Sequence, residues 1–184
     1  MKTLRLLKYS VIAILVILLL GLSFIYSGLM PIGADNKHST LTFWALETLR
    51  KKSIARASKN IEVPSLSEPQ LLLSGGADYN DMCSGCHMKP GQKVSDLSIG
   101  LYPQPPNLTL ASKNHAHAHE QGDHNDPNVI AQQQFWLIKH GIMASGMAAY
   151  GPTHDDDRIW AIVAFLQKLP KLNEMQYQIL TARQ

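Results

Sequence analysis

The chain has 184 residues, 45% of them hydrophobic, and a formal net charge of +3; that size suits one ordinary domain with an apolar segment added. The excess sits at one end: removing Lys2, Arg5 and Lys8 from the 17 basic residues leaves 14, equal to the 14 Asp plus Glu. The remainder is neutral overall and has no basic run interleaved with aromatics, which sets nucleic-acid binding aside.

The first element is apolar. From Tyr9 to Met30 the chain reads YSVIAILVILLLGLSFIYSGLM without a charged side chain, about the length a helix needs to cross a bilayer. Lys2, Arg5 and Lys8 precede it, so the positive-inside rule sends the rest of the chain to the far side of the membrane. A cleaved signal peptide is the competing reading. It calls for a shorter apolar core and small residues at the cleavage site, whereas Tyr26, Leu29, Met30 and Ile32 crowd that region. A retained anchor is therefore expected, and the body is exported under either reading.

Pro31 and the polar stretch up to Thr40 end this segment. LTFWALETLRKKSIARASKN follows, free of Gly and Pro, and is expected to be a helix. Leu41, Trp44, Ala45 and Leu49 recur at helical spacing, an apolar face that either packs on the domain or rests at the membrane interface. IEVPSLSEPQ, with two prolines, reads as a linker. A helix from Leu71 runs into CSGCH, with Ser67 as its expected N-cap and Gln70 at the capping-box position. Pro-rich and Gly-rich coil follows His87. VIAQQQFWLIKHG gives a further helix that starts near Asp126 or Asn128, with Phe135, Trp136, Leu137 and Ile138 as core residues. DDDRIWAIVAFLQKLP gives the last strong helix, its aspartates at the positive end of the dipole and Pro170 at its stop. No run alternates as a strand does, and the expected fold is all-α with long loops. Coil that long needs something to organise it, such as a large apolar cofactor at the centre of the core.

CSGCH, residues 83–87, holds the only two cysteines. A disulfide between Cys83 and Cys86 would close a tiny loop and restrain little of the unfolded chain. A thioredoxin-like dithiol needs a strand before it and a βαβ setting. A zinc site would need two more ligands, which the histidines further along keep open. C-x-x-C-H is also the c-type haem signature, in which two thiols bond the haem covalently and the adjoining imidazole binds iron. In an exported chain this last reading is favoured.

From about Leu71 to Leu172 the chain resembles a class I c-type cytochrome, of the monohaem, membrane-anchored bacterial kind. Gly75 and Tyr79 stand eight and four residues before Cys83, as in that family, and Pro106, Asn107 and Leu108 match its Pro-Asn-Leu segment. The resemblance implies that Cys83 and Cys86 carry one haem c and that His87 is an axial ligand. It also implies that the Pro106 carbonyl accepts the other imidazole N–H, as a partner behind the ligand. GIMASGMAAYG resembles the family's methionine loop and selects Met147 as the sixth ligand, ahead of Met143 and His140. Ile159, Trp160, Val163, Ala164 and Leu166 should meet the Gly75 and Tyr79 side of the earlier helix, and Tyr102 and Pro103 should line the haem edge. His115, His117, His119 and His124 depart from the family pattern, and read as a solvated insertion with weak metal binding at most.

The reading is thus a cytochrome c fold around a covalent haem, preceded by one transmembrane helix. Residues 1–8 lie in the cytoplasm, 9–30 in the membrane, 31–66 form an amphipathic helix and linker, and 67–172 form the haem domain with an insertion at 113–128. Residues 173–184 are a tail. The expected role is not an enzyme's: the protein is a membrane-tethered carrier of single electrons on the periplasmic side of the cytoplasmic membrane. A dehydrogenase, an oxidase or another cytochrome would be its redox partner, and it could be a subunit of an oxidoreductase complex. The alternatives are an open-site haem protein, such as a gas sensor or a peroxidase-like protein, and an exported metal-binding module built on the histidines.

Overall fold

The computed structural model describes residues 2–110 and 126–182, and the chain divides into two units, residues 1–36 and 37–184. The first unit is one helix, α1 (Lys2–Ser27), with no buried residue and a mean hydropathy of 2.5 over its apolar window. By length and composition it can cross a membrane: its 26 residues rise about 39 Å at the usual pitch.

The second unit is all-helical, with no strand among the described residues: α2 (Thr40–Ser58), α3 (Pro69–Asp78), α4 (Ser84–His87), α5 (Asp96–Ile99), α6 (Pro127–His140), α7 (Asp156–Lys168) and α8 (Glu174–Thr181). Local chemistry sets most of the boundaries. The Ser39 hydroxyl accepts from Thr42 N at 3.2 Å to open α2, Asp126 accepts from Asn128 N at 2.8 Å to open α6, and Asp155 accepts from Arg158 N at 2.9 Å to open α7. The start of α3 differs from expectation. Glu68 is its N-cap residue without a side-chain bond, and Pro69 occupies the first turn. Pro suits that place because the missing N–H would have had no partner in the helix. Ser67 instead pairs with Ser65.

The core forms where α3 meets α7. A side chain added at Gly75 would collide with the Ala161 carbonyl, so the two backbones touch. One residue on, a Cβ at Gly76 would lie 2.5 Å from the Leu180 carbonyl and 3.0 Å from the Phe165 ring. The glycine pair thus seats α3 against α7 and α8 together, as only an absent side chain allows. The apolar face expected on the last strong helix is one part of a wider burial. Every residue from Ile159 to Leu166 is buried, so α7 runs through the centre of the domain. Of the four core residues expected on α6, Phe135 and Ile138 are buried, and Trp136 and Leu137 are half-buried. Phe135 stacks on Trp160 with 4.2 Å between ring centres.

Residues 173–184, read as a tail, contain α8. It is opened by a capping box between Asn173 and Gln176, and its Tyr177 packs against Tyr79 and Phe165 with ring centres 6.4 and 6.1 Å apart. The apolar stripe of α2 also departs from a packing role. Ile54 and Ser58 are the buried residues of this helix, which lies against α6, while Leu41, Trp44 and Leu49 are 72%, 63% and 67% exposed.

Candidate functional site

Cys83 closes a single π-helical turn (Tyr79–Cys83) that links α3 to α4, and Cys86 and His87 lie on α4 itself. In that turn the Ser84 N–H reaches back to the Tyr79 carbonyl, one residue further than in an α-helix. Both cysteines are half-buried and free of any disulfide. Burial, with lesser contributions from Asp78 and Cys86, pushes the Cys83 thiol up to about 12. That is the opposite of what a thiol redox centre requires. Among the described residues no three His, Cys, Asp or Glu side chains converge as a metal site would need.

Tyr79 fixes the motif from behind. Its ring is fully buried, and its hydroxyl donates to the His87 carbonyl at 3.1 Å and the Met88 carbonyl at 2.7 Å. In front stands the Pro106–Leu108 segment. His87 Nδ1 lies 2.8 Å from the Pro106 carbonyl, and the Leu108 N–H donates to the His87 carbonyl at 3.2 Å. Asn107 keeps this segment in shape: its Oδ1 accepts from Thr109 N at 3.0 Å, and its Nδ2 donates to the Gln92 carbonyl at 3.2 Å. The imidazole is therefore held at its ring and at its backbone by one three-residue stretch.

Met147 is carried by the loop between α6 and α7. Gly141 turns that loop with φ +65°, where a Cβ would sit 2.6 Å from the Met147 carbonyl. The Ile142 N–H donates to the same carbonyl at 3.1 Å. The loop returns to the core at Tyr150, whose N–H donates to Ile138 O at 3.0 Å and whose hydroxyl donates at 3.2 Å to the carbonyl of Met82, the neighbour of Cys83. Tyr150 thus ties the methionine loop to the cysteine turn, a link with no signal in the sequence beyond an aromatic after the methionine. The three candidate sixth ligands differ in setting. Met147 packs against the core, Met143 is 96% exposed, and His140 is exposed beside the Trp136 ring.

Leu101 covers Gly146 so closely that a Cβ there would lie 2.6 Å from its Cδ2. Next to it Tyr102 packs on His38 and Phe43, with ring centres 5.3 and 6.5 Å away. A second unanticipated contact spans α3 and α7: Arg158 donates to both oxygens of Asp78, at 2.6 and 2.8 Å, across the seam that Gly75 makes tight. His115, His117, His119 and His124 lie outside the described residues.

The donor set fits a haem better than a bare metal ion: two thiols one helical turn apart, an imidazole oriented through Nδ1, and a thioether held against the same core. A family model described as "Cytochrome C oxidase, cbb3-type, subunit III" matches residues 70–166, the span from α3 into α7. No curated protein and no solved structure matches the chain.

Proposed function

We propose, for a chain that belongs to the cbb3-type cytochrome c oxidase subunit III family, that the residues of CSGCH and the α6–α7 loop are its haem ligands. As a c-type cytochrome domain the chain carries haem c covalently and moves electrons, the iron supplying a one-electron couple. In our reading Cys83 and Cys86 provide the two thioether bonds, and His87 and Met147 the axial ligands. The observation that carries this is the 2.8 Å approach of His87 Nδ1 to the Pro106 carbonyl. It fixes the tautomer and turns Nε2 to the opposite side of the ring, where an iron would be met.

What the protein supplies follows from its own groups. The buried Tyr79 hydroxyl anchors the backbone of the ligand histidine. Phe135, Ile138 and Trp160 build a wall of low polarity, and Tyr150 keeps the methionine loop on that wall. Such a site changes charge with little movement of its ligands, as a carrier of single electrons requires.

We further read α1 as a retained anchor. Lys2, Arg5 and Lys8 would stay on the cytoplasmic side and hold the haem domain at the outer face of the cytoplasmic membrane. Confined there, the domain would exchange electrons with a membrane-bound dehydrogenase, another cytochrome or an oxidase. The family's name makes a cbb3-type oxidase the first partner to test. Such contacts are expected to be small and short-lived.

Covalent attachment is tested by denaturing electrophoresis with haem staining and by the mass of the whole chain. The mass should exceed that of the polypeptide by one haem, and Cys83→Ala with Cys86→Ala should abolish the stain. Haem that extracts from the wild type into acidified solvent would contradict the assignment.

A further inference from the structure

Helix α2 has two faces of different kinds. Ile54 and Ser58 are buried on the side that meets α6, and Glu47 is paired on the helix with Arg50 at 2.6 Å and Lys51 at 3.3 Å. Leu41, Ala45, Leu49, Lys52 and Arg56 are all exposed, and their spacings of four, four, three and four residues trace one line along a helix. Trp44, 63% exposed, and Leu46, 49% exposed, flank its apolar half. The outward face is thus apolar along its first half and basic along its second, with no carboxylate in the line.

A single exposed leucine means nothing. A Trp and three leucines on the first turns of one helix, followed by two outward cations, form the pattern that lies in a membrane–water interface: apolar side chains below the headgroups, Trp at their level, Lys and Arg on the phosphates. The chain can deliver the helix there. The residues between Ser27 and Thr40 span at most about 40 Å when extended. We propose that α2 is an interfacial helix, its first half seated in the lipid surface that α1 enters and Lys52 and Arg56 on anionic headgroups. This rests on reading α1 as an anchor.

The orientation has a consequence for the site. His38 and Phe43, at the start of α2, pack on Tyr102, and Leu101 packs on Gly146 beside Met147. Docking α2 on lipid would therefore bring the methionine-loop side of the domain toward the membrane, rather than leave it turning freely on a tether.

The test uses the full, haem-loaded chain in vesicles of equal parts phosphatidylcholine and phosphatidylglycerol. Nitroxide labels are placed through Leu49→Cys on the stripe, Leu97→Cys on α5 and Leu15→Cys in α1, and collisions with oxygen and with a water-soluble nickel complex are compared. The Leu49 position should lose nickel collisions and gain oxygen collisions relative to the Leu97 position, and Lys52→Gln with Arg56→Gln should partly restore access to nickel. A label at 49 as open to nickel as the one at 97, while the one at 15 reads lipid, would overturn the proposal and leave the anchor standing. A label at 15 in water would remove the anchor itself, and this proposal with it. Protection at 49 in native membranes but not in pure lipid would also overturn the proposal, since the face would then dock on a protein.

Discussion

The Nδ1 atom of His87 stands 2.8 Å from the carbonyl oxygen of Pro106, and two residues on, the Leu108 N–H holds the His87 carbonyl. Ring and backbone of one histidine are thus set by one short segment, whose shape depends on the rigidity of Pro106 and the side-chain bonds of Asn107. A strong acceptor behind the ring makes the imidazole a more basic ligand, which favours the ferric state. Pro106→Gly keeps the carbonyl but frees its position. We expect covalent haem at wild-type yield with a midpoint potential shifted upward, measured by redox titration of the visible spectrum.

At Gly75 an added methyl would meet backbone, which cannot swing aside. Gly75→Ala should therefore force α3 and α7 apart and destabilise the holoprotein by about 1–3 kcal/mol. Gly85 is the control, because a Cβ there meets only the end of the Leu97 side chain, at 3.4 Å. Guanidinium unfolding followed by circular dichroism should show a large loss of midpoint for the first variant and little for the second.

Asp78 and Arg158 join the same two helices through two parallel bonds, and the Asp78 side chain is 10% exposed against 44% for Arg158. Arg158→Ala takes both bonds from a nearly buried carboxylate and should cost about 1.5–3 kcal/mol. Arg158→Lys restores charge without the fork and should recover only part of this. Chemical unfolding at fixed ionic strength compares the three proteins.

Much of the site could be read from the residues themselves, and much of the packing could not. CSGCH is legible because its chemistry requires contiguous residues, and α6 and α7 are legible because their apolar periods are long and their caps strong. The Gly75–Gly76 pair is visible as two glycines, and Gly75 meets α7 as the resemblance implies, but the second neighbour of Gly76 is Leu180 on α8, in a stretch whose sequence reads as a tail. Its signal lies in Asn173 and Gln176, a capping box ahead of only eight residues, too short a stretch for a helical period to stand out. On α3, Ser67 and Gln70 imitate a cap that Pro69 pre-empts. The stripe on α2 is a third kind of case: Leu41, Trp44 and Leu49 have the spacing of a core face, and only the position of α6 against the other side of the helix reveals that they look outward. Tyr150 and Arg158 act over long sequence separations, for which local patterns carry no information.

The phenol of Tyr177 is pushed up to about 12 from an ordinary 10.0, chiefly by burial, with Ser84 acting the other way and Cys83 and Asp81 adding to the rise. Burial raises Tyr79 beside it as well. Both phenols are neutral in the fold; the contribution of Tyr177 to stability is complete below pH 10 and is lost as the pH climbs through about 12, while that of Tyr79, which is raised further, persists beyond it. Alkaline titration should release α8 from α3 over that interval, seen as a rise in phenolate absorbance together with loss of near-ultraviolet circular dichroism. Tyr177→Phe should move the release to higher pH.

The central claim, a haem iron closed on both sides by His87 and Met147, is tested most directly by adding carbon monoxide to the dithionite-reduced protein and recording the visible spectrum of wild type, Met147→Ala and Met143→Ala. Carbon monoxide should leave the c-type spectrum unchanged in wild type and in Met143→Ala but alter it in Met147→Ala. Ready binding by the wild type would contradict the closed site and bring forward gas sensing or peroxide chemistry, and an opening caused by Met143→Ala would assign the sixth ligand to the wrong methionine.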